Sequence, residues 1–75
     1  MPTEYHVTHR TDSQINVREL LGKIYGLDNR QITDLLTELH GQTAPATAEF
    51  VSRTGYPFTL RHDGFQKFSV LEKIR

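Results

Sequence analysis

Apolar side chains recur at steps of three and four residues in two consecutive segments in the middle of the chain. At about 100° per residue, this spacing places them along one side of a helix. The first segment contributes Val17, Leu20, Leu21, Ile24 and Tyr25, and the second contributes Ile32, Leu35, Leu36 and Leu39. Between the segments, Gly26 is suited to end the first helix, Leu27 to face into the pair, and Asp28 to cap the second helix. The pattern predicts two helices that cross at a steep angle.

Alternating apolar and polar residues predict strands at both ends of the chain. Residues 3–9 alternate about Tyr5 and Val7, which predicts a short edge strand. Residues 56–70 predict a β-hairpin whose three-residue loop, 62–64, places Gly64 in a left-handed conformation. Matching the apolar rows pairs Phe58 with Phe68, Tyr56 with Val70 and Arg61 with Phe65.

Residues 44–54 predict a third helix, with Pro45 in its first turn and Ala46 and Phe50 on its apolar side. The predicted fold is therefore α+β but mainly α. It has a short N-terminal strand, a three-helix helix-turn-helix core and a C-terminal β-hairpin, as in a winged helix. One core is expected to contain Val17, Leu20, Leu21, Ile24, Leu27, Ile32, Leu35, Leu36, Leu39, Phe50, Phe58, Phe68 and Val70.

Composition narrows the range of functions. The 75 residues suit one domain, and the abrupt amphipathic end suggests the N-terminal part of a longer chain. Without cysteine there is no disulfide or thiolate metal site, and His6 and His9 would lie on opposite faces of a strand, so no metal or cofactor is expected. With no membrane-length apolar segment, a cytoplasmic protein is expected. The net charge is zero, but residues 41–75 carry five Lys/Arg against three Asp/Glu.

The segment from Arg18 to Leu39 resembles the helix-turn-helix of bacterial transcription regulators, the family of the catabolite activator protein. The matching positions are Leu21, the small Gly22, Tyr25, Gly26, Leu27, Ile32 and Leu35. In that family the second helix lies in the major groove of DNA, with its N-terminal residues at the base edges. The resemblance implies sequence-specific binding of double-stranded DNA by a small bacterial, plasmid or phage regulator of transcription or DNA maintenance. It also implies a homodimer, or copies bound side by side on repeats.

The polar side of the second helix carries side chains that can read bases. Asn and Gln pair with adenine, Arg pairs with guanine, and Thr contacts the thymine methyl group. The candidate base-reading residues are Asn29, Arg30, Gln31, Thr33, Asp34 and Thr37. The candidate contacts to the DNA backbone are Arg18, Arg53, Arg61 and Lys67. Asp34 repels phosphate, and its expected role is to orient Arg30 one turn earlier.

Two alternatives stay open. In a winged-helix arrangement, the recognition helix would be 44–54 rather than 29–39, and Arg61, His62 and Lys67 would form the wing. The chain could instead be a small protein-binding module, an inhibitor or assembly subunit, with Tyr56 and Phe65 exposed. No catalytic motif is present, so the protein is not expected to be an enzyme.

Overall fold

Two helices pack on one face of a four-stranded antiparallel sheet. This arrangement comes from a computed structural model that describes residues 4–64 and 66–74. The elements are β1 Tyr5–Thr11, α1 Gln14–Lys23, α2 Asn29–His40, β2 Ala46–Val51, β3 Pro57–His62 and β4 Phe68–Lys73. The order of strands across the sheet is β1-β4-β3-β2. The β3–β4 hairpin therefore occupies the centre, and β1 and β2 form the two edges.

Local capping explains where the helices begin. The Ser13 side chain accepts a hydrogen bond from the Asn16 N–H at the start of α1. At the start of α2, Asp28 and Gln31 form a capping box, in which each side chain accepts from the other's backbone N–H. The joint between the helices turns at Gly26, whose φ of 74° is costly for any residue with a side chain. The joint and both helices thus form where the apolar spacing predicts them.

The prediction of a mainly α fold with three helices is wrong. About 36% of the described residues are in strands and 31% in helices, and these residues contain two helices. The segment predicted as the third helix, 44–54, contains β2 instead. Ala46 and Ala48 are buried and alternate with exposed Thr47 and Glu49, which is the period of a strand. Two alanines give a weak apolar signal, and their helix propensity favoured the wrong element.

The predicted hairpin register and the predicted wing are also wrong. His62 pairs with Phe68 and Leu60 with Val70, so the loop is longer than three residues. Arg61 pairs with Ser69; its predicted partner, Phe65, lies outside the described residues. His62, expected at a polar tip, is buried and stacks on Phe68, with 4.7 Å between the ring centroids. A hairpin in the centre of a sheet cannot act as a free wing. Gly64 has the predicted left-handed backbone, with φ of 99°.

The core lies between the helices and the sheet. Leu21 and Leu35, one from each helix, are both buried as predicted. Ile24 is an error, since 60% of it is exposed, and Leu20 and Phe58 are only partly buried. The prediction also missed several members of the core, namely Tyr25, Ala46, Ala48 and Leu60. Leu71 is buried as well, although it lies on the side of the sheet that the helices leave uncovered.

The two helices touch at both ends instead of diverging from a steep crossing. Near the joint, a Cβ added to Gly22 would lie 3.7 Å from the Ile32 side chain. At the other end, Gln14 Nε2 lies 2.8 Å from His40 Nε2. The helices therefore run in opposite directions, in contact near the joint and again at Gln14 and His40.

Candidate nucleic-acid interface

The joint between the helices is bound to the loop that connects β2 with β3. The backbone N–H of Arg53 donates to the carbonyl of Tyr25 at 2.8 Å. A Cβ added to Gly26 would lie only 2.6 Å from the Arg53 Cβ, so the two segments are in direct contact. Glycine is thus required at this position for two reasons, its backbone conformation and the space that Arg53 takes.

Basic side chains from three segments surround this joint. Lys23 ends α1, Arg30 lies in the first turn of α2, and Arg53 lies in the β2–β3 loop. Arg18, in the middle of α1, donates to Thr33 Oγ1 at 3.5 Å. Arg18, Lys23, Arg30 and Arg53 belong to the three segments that meet at the joint, and we call them the turn-end cluster.

Two acidic residues near the turn-end cluster already have partners. Glu19 accepts a hydrogen bond from Lys23 Nζ at 2.8 Å, one turn away on the same helix. This hydrogen bond and the attraction between the charges lower the pKa of Glu19 and raise the pKa of Lys23. Asp28 is the N-cap of α2. Because the turn-end cluster contains four basic side chains against these two carboxylates, the net charge at the turn end is positive.

A cleft of about 410 Å³ opens between the helix joint and the β2–β3 loop. Lys23 and Arg53 lie on opposite sides of it, and Tyr25 and Phe58 form part of its wall. Ile24 lines the same cleft and is largely exposed. The cleft thus joins apolar surface to two cations.

The predicted base-reading residues divide into two groups. Asn29 and Arg30 are exposed in the first turn of α2, and Thr33 and Thr37 are exposed farther along it. Gln31 and Asp34 line a groove between α2 and β2. In addition, the Gln31 side chain is bound to the Asp28 backbone. The first group shares the exposed side of α2, with Asn29 and Arg30 nearest the turn end and Thr37 in the C-terminal half, whereas the second turns towards β2.

The residues predicted to contact the DNA backbone also fall into two groups. Arg18 and Arg53 belong to the turn-end cluster. Arg61 and Lys67 line a shallow cavity of about 430 Å³ on the uncovered face of the sheet, where Arg10 joins them and Arg61 is paired with Asp63. The sheet separates this cavity from the helices. One straight duplex seated on α2 cannot reach it.

Lys23 and Arg10 are basic residues that the predicted site did not include. Lys23 precedes the joint by three residues, so its place near Gly26 could have been found from the helix boundary alone. Arg10 reaches Arg61 and Lys67 only because β1 pairs with β4, with Arg10 opposite Ser69. Nothing local in the sequence signals that pairing.

The histidines of β1 do not lie on opposite faces as predicted. A bulge between Val7 and His9 shifts the register, so His6 pairs with Glu72 and His9 with Val70, on the same side of the sheet. His9 Nδ1 lies 2.7 Å from the Tyr25 hydroxyl. Across residues 4–64 and 66–74, no group of three His, Cys, Asp or Glu side chains is arranged to hold a metal ion.

Neither helix in the described part of the chain has the length and apolar character that crossing a bilayer requires. Comparison with family models, with curated proteins and with solved structures gives no match.

Proposed function

We propose that the protein binds double-stranded DNA in a sequence-specific manner, with the N-terminal end of α2 at the major groove. The observation that carries the proposal is the turn-end cluster, in which three separate segments bring four basic side chains around the start of one helix. Phosphate groups flank the groove, so cations on both sides of an inserted helix end supply affinity.

The first turn of α2 supplies the base contacts in this proposal. Arg30 can bind guanine through two hydrogen bonds, and Asn29 can do the same with adenine. Both are exposed, and Thr33 lies one turn farther along the helix. Arg53 and Lys23, on either side of the cleft, contact phosphate.

The distribution of acidic residues sets how α2 approaches DNA. Asp34 and Glu38 lie on the flank of α2 that faces β2, where a DNA backbone would be repelled. The other flank is covered by α1. The helix therefore approaches the groove with its N-terminal end, and its C-terminal half stays outside.

Selection of bound duplexes from a random pool, followed by salt titration of any enriched sequence, tests the proposal. Arg30→Ala is expected to cost about 1–3 kcal/mol of binding and to relax the preference at one base pair. Arg53→Ala should weaken all sequences alike and reduce the salt slope by about one.

Arg61→Ala is the matched control, because it removes the same side chain from the uncovered face and should leave DNA affinity unchanged. Lys67→Ala should behave in the same way. If no sequence is enriched, or if Arg61→Ala weakens binding as much as Arg30→Ala does, the turn end is not the interface.

The helix-turn-helix resemblance also supports a pair of copies on palindromic or repeated half-sites about one helical turn apart. Sedimentation of the protein with DNA that contains one or two half-sites tests this part. A monomer on both DNA molecules would contradict it.

A further inference from the structure

The edge strand β2 has a free row of backbone groups. The Ser52 N–H donates to the Tyr56 carbonyl at 2.9 Å, which continues the ladder between β2 and β3. In an antiparallel ladder, alternate residues bond to the same neighbour. The N–H and C=O groups of Thr47, Glu49 and Val51 therefore point away from β3, towards the open edge.

This row ends at the turn end of the molecule. Arg53 is the next residue in the same alternation, and its N–H is bound to Tyr25. The register between β2 and β3 is regular from Ala46 to Val51, without a bulge. A regular strand with an open ladder is a ready site for another strand, unless charge or shape prevents pairing.

A groove runs beside this edge, between α2 and β2. Its volume is about 280 Å³. It is lined by Leu27, Leu35, Phe50 and Val51, together with Gln31 and three acidic residues, of which Asp34 and Glu38 belong to α2 and Glu49 has its side chain on the uncovered face of β2. A strand added to β2 would direct every second side chain towards this groove and the others over the uncovered face of the sheet.

The charge along the groove has one sign. No Lys or Arg side chain lines it. In the described part of the chain, the ion pairs are Lys23 with Glu19 and Arg61 with Asp63, and neither includes a groove carboxylate. The three carboxylates are thus available to cations brought by a partner.

We propose that β2 pairs with an extended, Lys- or Arg-rich segment of another protein, which adds a fifth strand to the sheet. Backbone hydrogen bonds to Thr47, Glu49 and Val51 hold the segment, as in other cases of strand addition. Its basic side chains lay their apolar stems on Leu35 and Phe50 and place their charges near Asp34 and Glu38. On the uncovered face, a basic residue sits opposite Glu49.

A second copy of this chain fits the edge less well. Two β2 strands paired with each other would bring both sets of groove carboxylates to the same interface. Like charges across neighbouring strands are destabilising. The charge therefore selects a basic partner over self-association.

An acetylated seven-residue peptide with the repeat Lys-Lys-Val, which places lysines on both faces of a strand, is the probe, and ¹H–¹⁵N NMR of the whole chain is the measurement. We expect saturable shifts at the amides of Thr47, Glu49 and Val51, and slower hydrogen exchange there when the peptide is bound. A peptide with glutamate in place of lysine should give no shifts. The same lysine peptide with N-methyl groups on one edge should bind at least tenfold more weakly, since the protein is unchanged and only backbone donors are lost.

Protein variants test whether the carboxylates near β2 attract the basic side chains of the peptide. Glu49→Gln and Glu38→Gln are each expected to weaken binding of the lysine peptide about two- to fivefold at low salt. Glu4→Gln, a carboxylate beside the opposite edge of the sheet, is the matched control and should change affinity less than twofold. Val51→Pro removes an N–H that points to the open edge while leaving the bonds to β3 intact, and should abolish peptide binding.

Several outcomes would overturn the proposal. These are shifts confined to residues outside β2 and α2, equal binding of the N-methylated peptide, or concentration-dependent dimerisation through β2 without peptide. The result is separable from the proposed DNA binding, because Glu49→Gln should leave DNA affinity unchanged within twofold. If the protein binds DNA but not the peptide, the assignment of the β2 edge is wrong. If it binds the peptide but not DNA, the assignment of the turn-end cluster is wrong.

Discussion

The two edge strands of the sheet are held to the molecule in different ways. In β2, Ala46, Ala48 and Phe50 are buried under α2. In β1, no residue is fully buried, and the bulge interrupts the ladder with β4. Instead, polar contacts link β1 to the joint between the helices, because the Tyr25 hydroxyl lies 2.8 Å from Thr8 Oγ1 and 2.7 Å from His9 Nδ1.

This difference shows which edge is suited to receive another strand. The bulge in β1 interrupts the regular register of the strand, which is a common way to prevent pairing at an edge. A strand anchored by apolar side chains, such as β2, can keep a regular backbone and leave its outward groups free. The comparison predicts that β2 depends on packing and β1 on the Tyr25 hydroxyl.

Phe50→Ala is expected to have the largest effect, about 3–5 kcal/mol of unfolding free energy. Phe50 packs edge-on against Tyr25 and stacks on Phe58, with centroid distances of 5.4 and 5.8 Å. The paired control on the other edge is Val7→Ala, which should cost less than about 1 kcal/mol because 37% of Val7 is exposed. Urea denaturation measures both. Equal costs would remove the proposed contrast between the strands.

The contrast between β1 and β2 also shows what the sequence could predict. The helix pair and its glycine joint depend on local spacing and capping. Residues such as Leu21, Gly26 and Asp28 were therefore sufficient to predict them from the sequence. The alternation in β2 was present, but Ala46 and Ala48 are too small to give a strong period-two signal. In the β3–β4 hairpin, Leu60 and His62 belong to the apolar row, and a loop chosen without them gave the wrong register.

The candidate site was predictable only where neighbours in sequence are neighbours in space. Arg30 lies near the joint because it follows Asp28 by two residues. The placement of Arg53 beside Gly26 depends on the position of β2 under α2, and the separation of Arg61 from the helices depends on the order of the strands. Strand order is a long-range property, and a single sequence carries no local signal for it.

Gly26→Ala tests the contact between the helix joint and the end of β2. The substitution should cost about 2–3 kcal/mol, because alanine disfavours a positive φ and its Cβ would meet the Arg53 Cβ at 2.6 Å. Thermal unfolding gives the change. Gly22→Ala is the control within the helix pair, where the added Cβ makes ordinary contact and stability should rise by about 0.5–1 kcal/mol. A neutral Gly26→Ala would mean that the loop moves freely from the joint.

Tyr25→Phe removes the hydroxyl that contacts β1 and keeps the ring that packs on Phe50. The expected cost is about 0.5–1.5 kcal/mol, the usual net value of such hydrogen bonds. The loss should be local, with faster amide exchange in β1 than in β2, which hydrogen-exchange NMR can measure. If amide exchange became faster by the same factor in β1 and β2, Tyr25 would support the whole sheet and would not be a specific anchor of β1.

Alkaline titration of Tyr25 gives the smallest effect and the most specific one. Burial raises the pKa of Tyr25 above its ordinary value of 10, and the charge of Glu72 adds to this, whereas the Thr8 contact opposes it. A raised pKa means that the native state holds the proton more tightly than the unfolded state. The stability that Tyr25 contributes is therefore complete below about pH 10 and is lost as the pH rises through the folded-state pKa.

Absorbance of tyrosinate in the wild type minus that of Tyr25→Phe isolates this titration, since the chain has three tyrosines and no tryptophan. The difference curve should have its midpoint above pH 10, and amide exchange in β1 should accelerate over the same pH range while β2 stays protected. Because ionised Tyr25 can no longer donate to Thr8 or His9, the strand that depends on the hydroxyl should loosen first. A midpoint at or below pH 10, or loosening of β2 before β1, would reverse the assignment of anchors to the two edges.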